Sequence, residues 1–143
     1  GLAAPHWDRE ASGLWLGLNL DTTKQDMMQA LLEGVALRAA EVMQAMGRLG
    51  AKGTSISIDG GLADNPYFGQ FLANALGLNV DVAGSSDLTA LGIARMAMLG
   101  AGARKLPPLP PPRFRHLPNN PLTAKEKARF GIAIIRSKGW KAF

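Results

Sequence analysis

Apolar and polar positions along this chain change period several times, and each change marks an element. Gly13 to Leu18 (Gly-Leu-Trp-Leu-Gly-Leu) is a short continuous apolar run, which predicts a buried strand. From about Lys24 to Met46 the period is helical. Met28, Leu32, Val35, Ala39, Val42 and Met46 step by four and three along one stripe, with the methionines as core filler. Gly47 and Gly50 end that helix, and Ile56 and Ile58 then alternate with Ser55 and Ser57, the period of a half-buried strand. Phe68, Phe71, Leu72, Ala75 and Leu76 share one face of a second helix that stops at Gly77. Leu78, Val80 and Val82 alternate again as a strand. Ser86 or Asp87 caps a third helix, which begins with the small residues of Thr89-Ala90-Leu91-Gly92 and ends at Gly100.

Strands alternating with helices predict an α/β fold around a mostly parallel sheet. Within it, Ile56-Ser57-Ile58-Asp59-Gly60-Gly61 followed by Asn65-Pro66 is the most informative stretch. Two glycines strip side chains from the exit of a strand, and Asn65 and Pro66 suit an N-cap and a first helical position. In an open α/β sheet such a place receives ligands, because backbone can approach them and helix N–H groups point outward. Taken alone, Gly60-Gly61 reads as a tight turn.

Beyond Gly102 the pattern breaks. Seven of the nine prolines lie between Pro107 and Pro121, so Leu106 to Pro118 reads as an extended, stiff connector. Thr123 and Glu126 form a capping box for a last helix running toward Gly139. Charge divides at the same point. The balance is −4 over residues 1–101 and +9 over residues 102–143, where Glu126 is the sole acid. A basic tail can serve nucleic acid, but its Phe114, Phe130, Trp140 and Phe143 form no stacking platform. The tail therefore reads as a solvated helix that packs its Phe130/Ile134 side on the acidic body, with no nucleic-acid partner expected.

The 143 residues suffice for one domain with a real core. No apolar run is long enough to span a bilayer, so no membrane partner is expected, and the absence of cysteine suits a reducing cytoplasm. The first residue is Gly1 rather than Met, from which a processed or cut chain is expected. Catalytic residues are sparse. His6 and His116 lie in different segments, and there is no Walker A loop, dinucleotide fingerprint or nucleophile elbow. Asp59, at a strand end beside the glycines, suits a general base, a metal ligand or an acceptor for turn amides.

The order of segments adds a resemblance. Gly1-Leu2-Ala3-Ala4-Pro5-His6-Trp7-Asp8 resembles a segment of the glycerol kinase branch of the FGGY carbohydrate kinase family. Gly13-x-Trp15-x-Gly17-Leu18, followed after seven residues by Asp26-Met27-x-x-Ala30-Leu31-Leu32-Glu33, is similar to the family's second signature. Asp59-Gly60-Gly61-x-x-x-Asn65 with Gln70 resembles its adenine-side loop, and Thr89-Ala90-Leu91-Gly92-x-Ala94 the helix start that follows. The likeness covers about residues 1–101.

The resemblance implies part of an actin-like, ribonuclease H-like ATPase domain, with a C-terminal helix added. It divides the chain into residues 1–105, the C-terminal part of a kinase nucleotide-binding domain; 106–121, a Pro-rich linker; and 122–143, a basic C-terminal helix. It implies transfer of the ATP γ-phosphate to a polyol or sugar hydroxyl with Mg²⁺, in a cleft between two domains. Gly61 and Asn65 match positions that contact the nucleotide, Gly60 completes the turn, and Asp64 and Pro66 depart from the glycerol kinase pattern. The catalytic aspartate, metal ligands and substrate pocket would lie upstream, so the chain is expected to be inactive alone. Its expected partners are the upstream part of the same kinase, a small polyol or sugar and, through an unpaired sheet edge, another copy of itself. The alternative is a non-catalytic nucleotide-binding or interaction module of the same fold.

Overall fold

A computed structural model of the chain describes residues 1–50, 53–85 and 87–142. Helix α1 spans Lys24–Arg48, strand β1 Ser55–Ile58, α2 Pro66–Leu76, β2 Asn79–Val82, α3 Leu88–Gly100, β3 Phe114–His116 and α4 Ala124–Ser137. Caps explain several boundaries. Thr23 and Asp26 exchange the reciprocal bonds of a capping box at the start of α1, and Thr123 and Glu126 do so at α4. Gly77 closes α2 in the left-handed conformation, at φ 68°, which glycine adopts without a Cβ clash. Asp87 caps α3 by accepting from the Ala90 N–H, while Ser86, the other proposed cap, lies outside the described residues.

The described sheet has the order β1-β2-β3. β1 and β2 are parallel, with Ile56 beside Val80 and Ile58 beside Val82. β3 returns antiparallel on the far side of β2, with His116 beside Val80 and Phe114 beside Val82. α2 is the central element, meeting α1 on one side and β2 on the other. The core is Ala36, Phe68, Leu72, Ala73 and Val80, lined by Leu32, Ala39, Ile56 and Ile58.

Two expectations are corrected. Gly13–Leu18 forms no strand, and Leu14, Trp15, Leu16 and Leu18 are all exposed. An apolar run supplies a tendency to be buried, but a strand also needs a neighbour to receive its backbone bonds. The buried face of α1 is also turned from the expected stripe. Leu32 and Ala39 pack inward, but the fully buried residue is Ala36, and Met28, Val35 and Met46 face solvent. Alanine lets α1 approach α2 closely, so contact centres there.

Besides the β2–β3 pairing, residues after α3 are tied to α2 and to the start of the chain. Gln70 of α2 donates to Leu117 O at 2.8 Å and to Asn119 Oδ1 at 3.0 Å. Asn74 Oδ1 accepts from the N–H groups of Asn119 and Asn120. The end of α4 meets the start of the chain, where the Ser12 N–H donates to Ser137 O and the Gly139 N–H to Asp8 Oδ2. Ile134 is buried and Phe130 half-buried, so that side of α4 faces inward as its spacing predicts.

Candidate functional site

The carboxyl ends of parallel strands β1 and β2 lie side by side, and the glycine turn leaves the sheet there. Gly60 has φ 83°, which strains any residue with a Cβ. Gly61–Asp64 then form one 3-10 turn, held by the Ala63 N–H donating to Gly60 O and the Asn65 N–H to Leu62 O. Ala63 is buried beneath it. A Cβ built on Gly61 meets no protein atom within 4 Å, and its φ is not positive. The outer side of Gly61 is therefore open backbone, and that openness is not needed for packing.

Asn65 begins α2, with Pro66 at the first helical position. Its Oδ1 accepts from the Phe68 N–H at 3.1 Å. A cap needs an acceptor, which assigns the oxygen to the helix and turns the side-chain NH₂ away from it. That NH₂ donates to no group among the described residues. Helix capping and contact with a ligand therefore use different atoms of one carboxamide. In the first turn of α2, Pro66 has no N–H and those of Phe68 and Gly69 are taken by Asn65, which leaves the Tyr67 N–H beside the Asn65 NH₂.

Beside the turn is a recess of about 220 Å³, lined by Asp64, Pro66, Val82, Arg113, Phe114 and His116. Gly60, Gly61 and Asn65 stand at the neighbouring turn and do not line it. Sequence reasoning passed over Arg113. Its Nη2 donates to Asp64 Oδ1 at 2.6 Å and its Nε to Ala83 O at 2.8 Å. The signal available was an arginine directly following a proline run, with an unexplained Asp64 in the turn. His116 is buried against Gly69, and burial pushes its pKa down. On the other side of the strand, the Arg115 guanidinium holds Asp81 below the usual carboxylate range.

Asp59 lies at this edge, directly after β1, but the remaining candidates lie elsewhere. Asp59 is exposed and accepts no bond from the turn amides among the described residues. Gln70 points to the tail. His6 lies beside Glu41 of α1, with 3.3 Å between Nε2 and Oε1. No group of three or more His, Cys, Asp or Glu among the described residues could hold a metal ion. No described helix is long and apolar enough to cross a membrane.

Residues 1–101 match the C-terminal domain of the FGGY family of carbohydrate kinases. The chain belongs to that family. It is 40% identical over 146 residues to a glycerol kinase of Thermus brockianus, a match covering 98% of this chain and 30% of that protein. A glycerol kinase of Gluconobacter oxydans is 43% identical over 106 residues, covering 73% of this chain and 21% of that protein. The fold is shared with solved FGGY kinase structures. Plasmodium falciparum glycerol kinase with ADP superposes with a TM-score of 0.78 at 23% identity, over 96% of this chain and 29% of that one. A ligand-bound xylulose kinase from Lactobacillus acidophilus gives 0.64 at 24% identity, over 94% and 27%. This FGGY chain thus spans less than a third of the length of these relatives.

Proposed function

We propose that this chain is the nucleotide-side portion of an ATP-dependent polyol or sugar kinase, with glycerol the favoured acceptor. The reading is supported by relatives named glycerol kinase and by a fold neighbour solved with ADP. The observation that carries it is the open backbone at Gly61, beside an Asn65 NH₂ that donates to no group among the described residues, at the carboxyl edge of β1 and β2. Gly60, Gly61 and Asn65 receive the adenosine end of ATP. Gly60 sets the bend, Gly61 lets the base or ribose lie on bare backbone, and the Asn65 NH₂ donates to it.

In such a transfer the acceptor oxygen forms a bond to the γ-phosphorus while the bond to the bridging β–γ oxygen breaks, and a base takes the hydroxyl proton. This chain's share is to hold one end of the nucleotide, so that the other end is presented in line. Mg²⁺ would neutralise charge on the transferring phosphate. No group of three or more His, Cys, Asp or Glu among the described residues fits it. The proposed division is residues 1–105 as nucleotide-binding domain, 106–121 as Pro-rich segment and 122–143 as basic helix. The proposed partners are the upstream part of the same kinase, the acceptor and a second copy, in the cytoplasm.

Gly61→Val in the complete kinase tests the reading. A Cβ at Gly61 meets no neighbouring protein atom within 4 Å, so the variant should fold and its side chain should occupy the space proposed for the ligand. The KM for ATP should rise about tenfold or more, with the acceptor KM within about twofold. An unchanged KM for ATP, or equal rises for both substrates, overturns the assignment.

A further inference from the structure

The proline-rich stretch after α3 ends on the same edge of the sheet as the Gly60–Asn65 turn. A Cβ built on Gly84, just past β2, would fall on the carbonyl oxygen of Pro111 and against Pro110. The stretch is therefore seated on the exit of β2, with no room for a side chain between them. Arg113 follows two residues later. Its N–H donates to Val82 O at 2.9 Å, extending the β2–β3 pairing by one residue. Its side chain then crosses the edge, with Nε on Ala83 O and Nη2 on Asp64 Oδ1. Three bonds from one residue link the exit of β2 to the last residue of the 3-10 turn, and the next residue is Asn65.

Among the described residues, the other backbone bonds of that turn are local to it and to the start of α2. Arg113 is its lateral brace. Both partners are about half exposed, at 47% and 58%, so the pair adds little to global stability. Its effect is geometric. A planar guanidinium anchored at Nε by Ala83 O presents its other nitrogens in a fixed direction, which fixes Asp64 and the turn behind it. Arg113 also lies beyond residue 101, where the family match stops.

We infer that Arg113 is a positioning residue for the nucleotide, acting through Asp64 to hold the Gly60–Asn65 turn at its distance from β2. The inference rests on the reading that this turn receives the adenosine end of ATP. A displaced turn moves the Gly61 backbone and the Asn65 NH₂ together. The loss therefore falls on binding of one substrate, while the phosphoryl end of the reaction is untouched.

The test is steady-state kinetics of the complete kinase carrying Arg113→Ala, Asp64→Asn, both together, or Arg113→Lys. An interaction of surface ion-pair size predicts about a three- to fivefold rise in the KM for ATP with Arg113→Ala, while kcat and the acceptor KM stay within about twofold. Asp64→Asn should give a smaller rise. The double variant should be no worse than Arg113→Ala, since both changes break one contact. Arg113→Lys keeps the charge but not the fork, and should fall between. If Arg113→Ala does not fold, Asp64→Asn and Arg113→Lys carry the test. A KM for ATP unmoved in every folded variant, or rises that add in the double variant, overturns the inference. Gly61→Val separates the two claims. If it raises the KM for ATP and these variants do not, only the Arg113 inference falls; if it does not, the nucleotide site itself falls.

Discussion

Helices α2 and α3 are both strongly apolar, yet they end in opposite environments. α2 buries Phe68, Gly69, Leu72, Ala73 and Ala75 between α1 and the sheet. α3, with Leu91, Ile93, Met96, Met98 and Leu99, buries nothing, and Ile93 and Met96 are 65% and 74% exposed. The apolar positions of α2 gather on one side. Those of α3 go round the helix, the distribution of one enclosed on several sides in an assembled protein. The Leu14-Trp15-Leu16 run is exposed in the same way, and Trp15, Leu16 and Leu18 line an open groove of about 410 Å³ with Met27 and Ala30 of α1. α2 thus has its partners within these residues, while α3 and the 14–18 run have surfaces suited to partners elsewhere. The relatives are more than three times as long as this chain, and their remaining length is the proposed cover.

The largest expected effect concerns catalysis. The purified 143-residue chain should show no ATP-dependent phosphorylation of glycerol or a pentose, and activity should appear when the upstream part is co-expressed with it. The groups that grip phosphates and take the acceptor proton are proposed to lie there, and one nucleotide-side turn cannot replace them. Coupled detection of ADP, with a contaminating kinase excluded, measures it. Sustained turnover by the chain alone would break the comparison, because α3 and the 14–18 run would then need no cover.

Next comes stability, where the two helices can be set against each other. Leu72 is 2% exposed in the core, so Leu72→Ala should cost about 2–5 kcal/mol in urea unfolding. Met96→Ala in the isolated chain should stay within about 0.5 kcal/mol, since Met96 is already in water. In the complete kinase Met96→Ala should become clearly destabilising. Equal small effects in both settings would mean that α3 stays uncovered.

The same contrast explains which parts of the fold were legible in the sequence. β1, the Gly60 bend, the Asn65 cap, Pro66 and the Gly77 stop are set by neighbours within about four residues, through capping and backbone sterics. Those features read directly. The family likeness was carried by the same kind of local motif. The failures all depend on a distant partner. The 13–18 run has no strand beside it among the described residues, and α1 turned toward Ala36 because α2 decides where close approach occurs. β3 was hidden in a proline-rich stretch; its three residues become a strand because Asp81 opposes Arg115 and Val80 opposes His116 on β2. At the candidate site, the bend at Gly60 and the cap at Asn65 were legible as local geometry, but the contact from Arg113, 49 residues from Asp64, was not.

The smallest expected effect is on pH dependence, and it probes the covered side of the comparison. His116 sits within the body, its ring against Gly69 and edge-on to Phe114 with centroids 4.7 Å apart. Burial pushes its pKa below the ordinary value of 6.5, so the folded chain holds the ring neutral while the unfolded chain protonates it more readily. The unfolded state binds more protons in that window, so stability is full above 6.5 and declines as pH falls from there toward the folded pKa. Asp81 shifts in the same sense for a different reason. Its pKa is held down by Arg115, so its contribution is full above the ordinary 3.8 and is lost only as pH falls below that. Two separate declines should therefore appear in urea midpoints measured against pH. His116→Gln should lower stability at neutral pH but abolish the first decline, leaving the second. A decline just below 6.5 that persists in His116→Gln would assign that titration elsewhere, and His116 would then be open to water, with β3 no longer closing the covered half of the molecule.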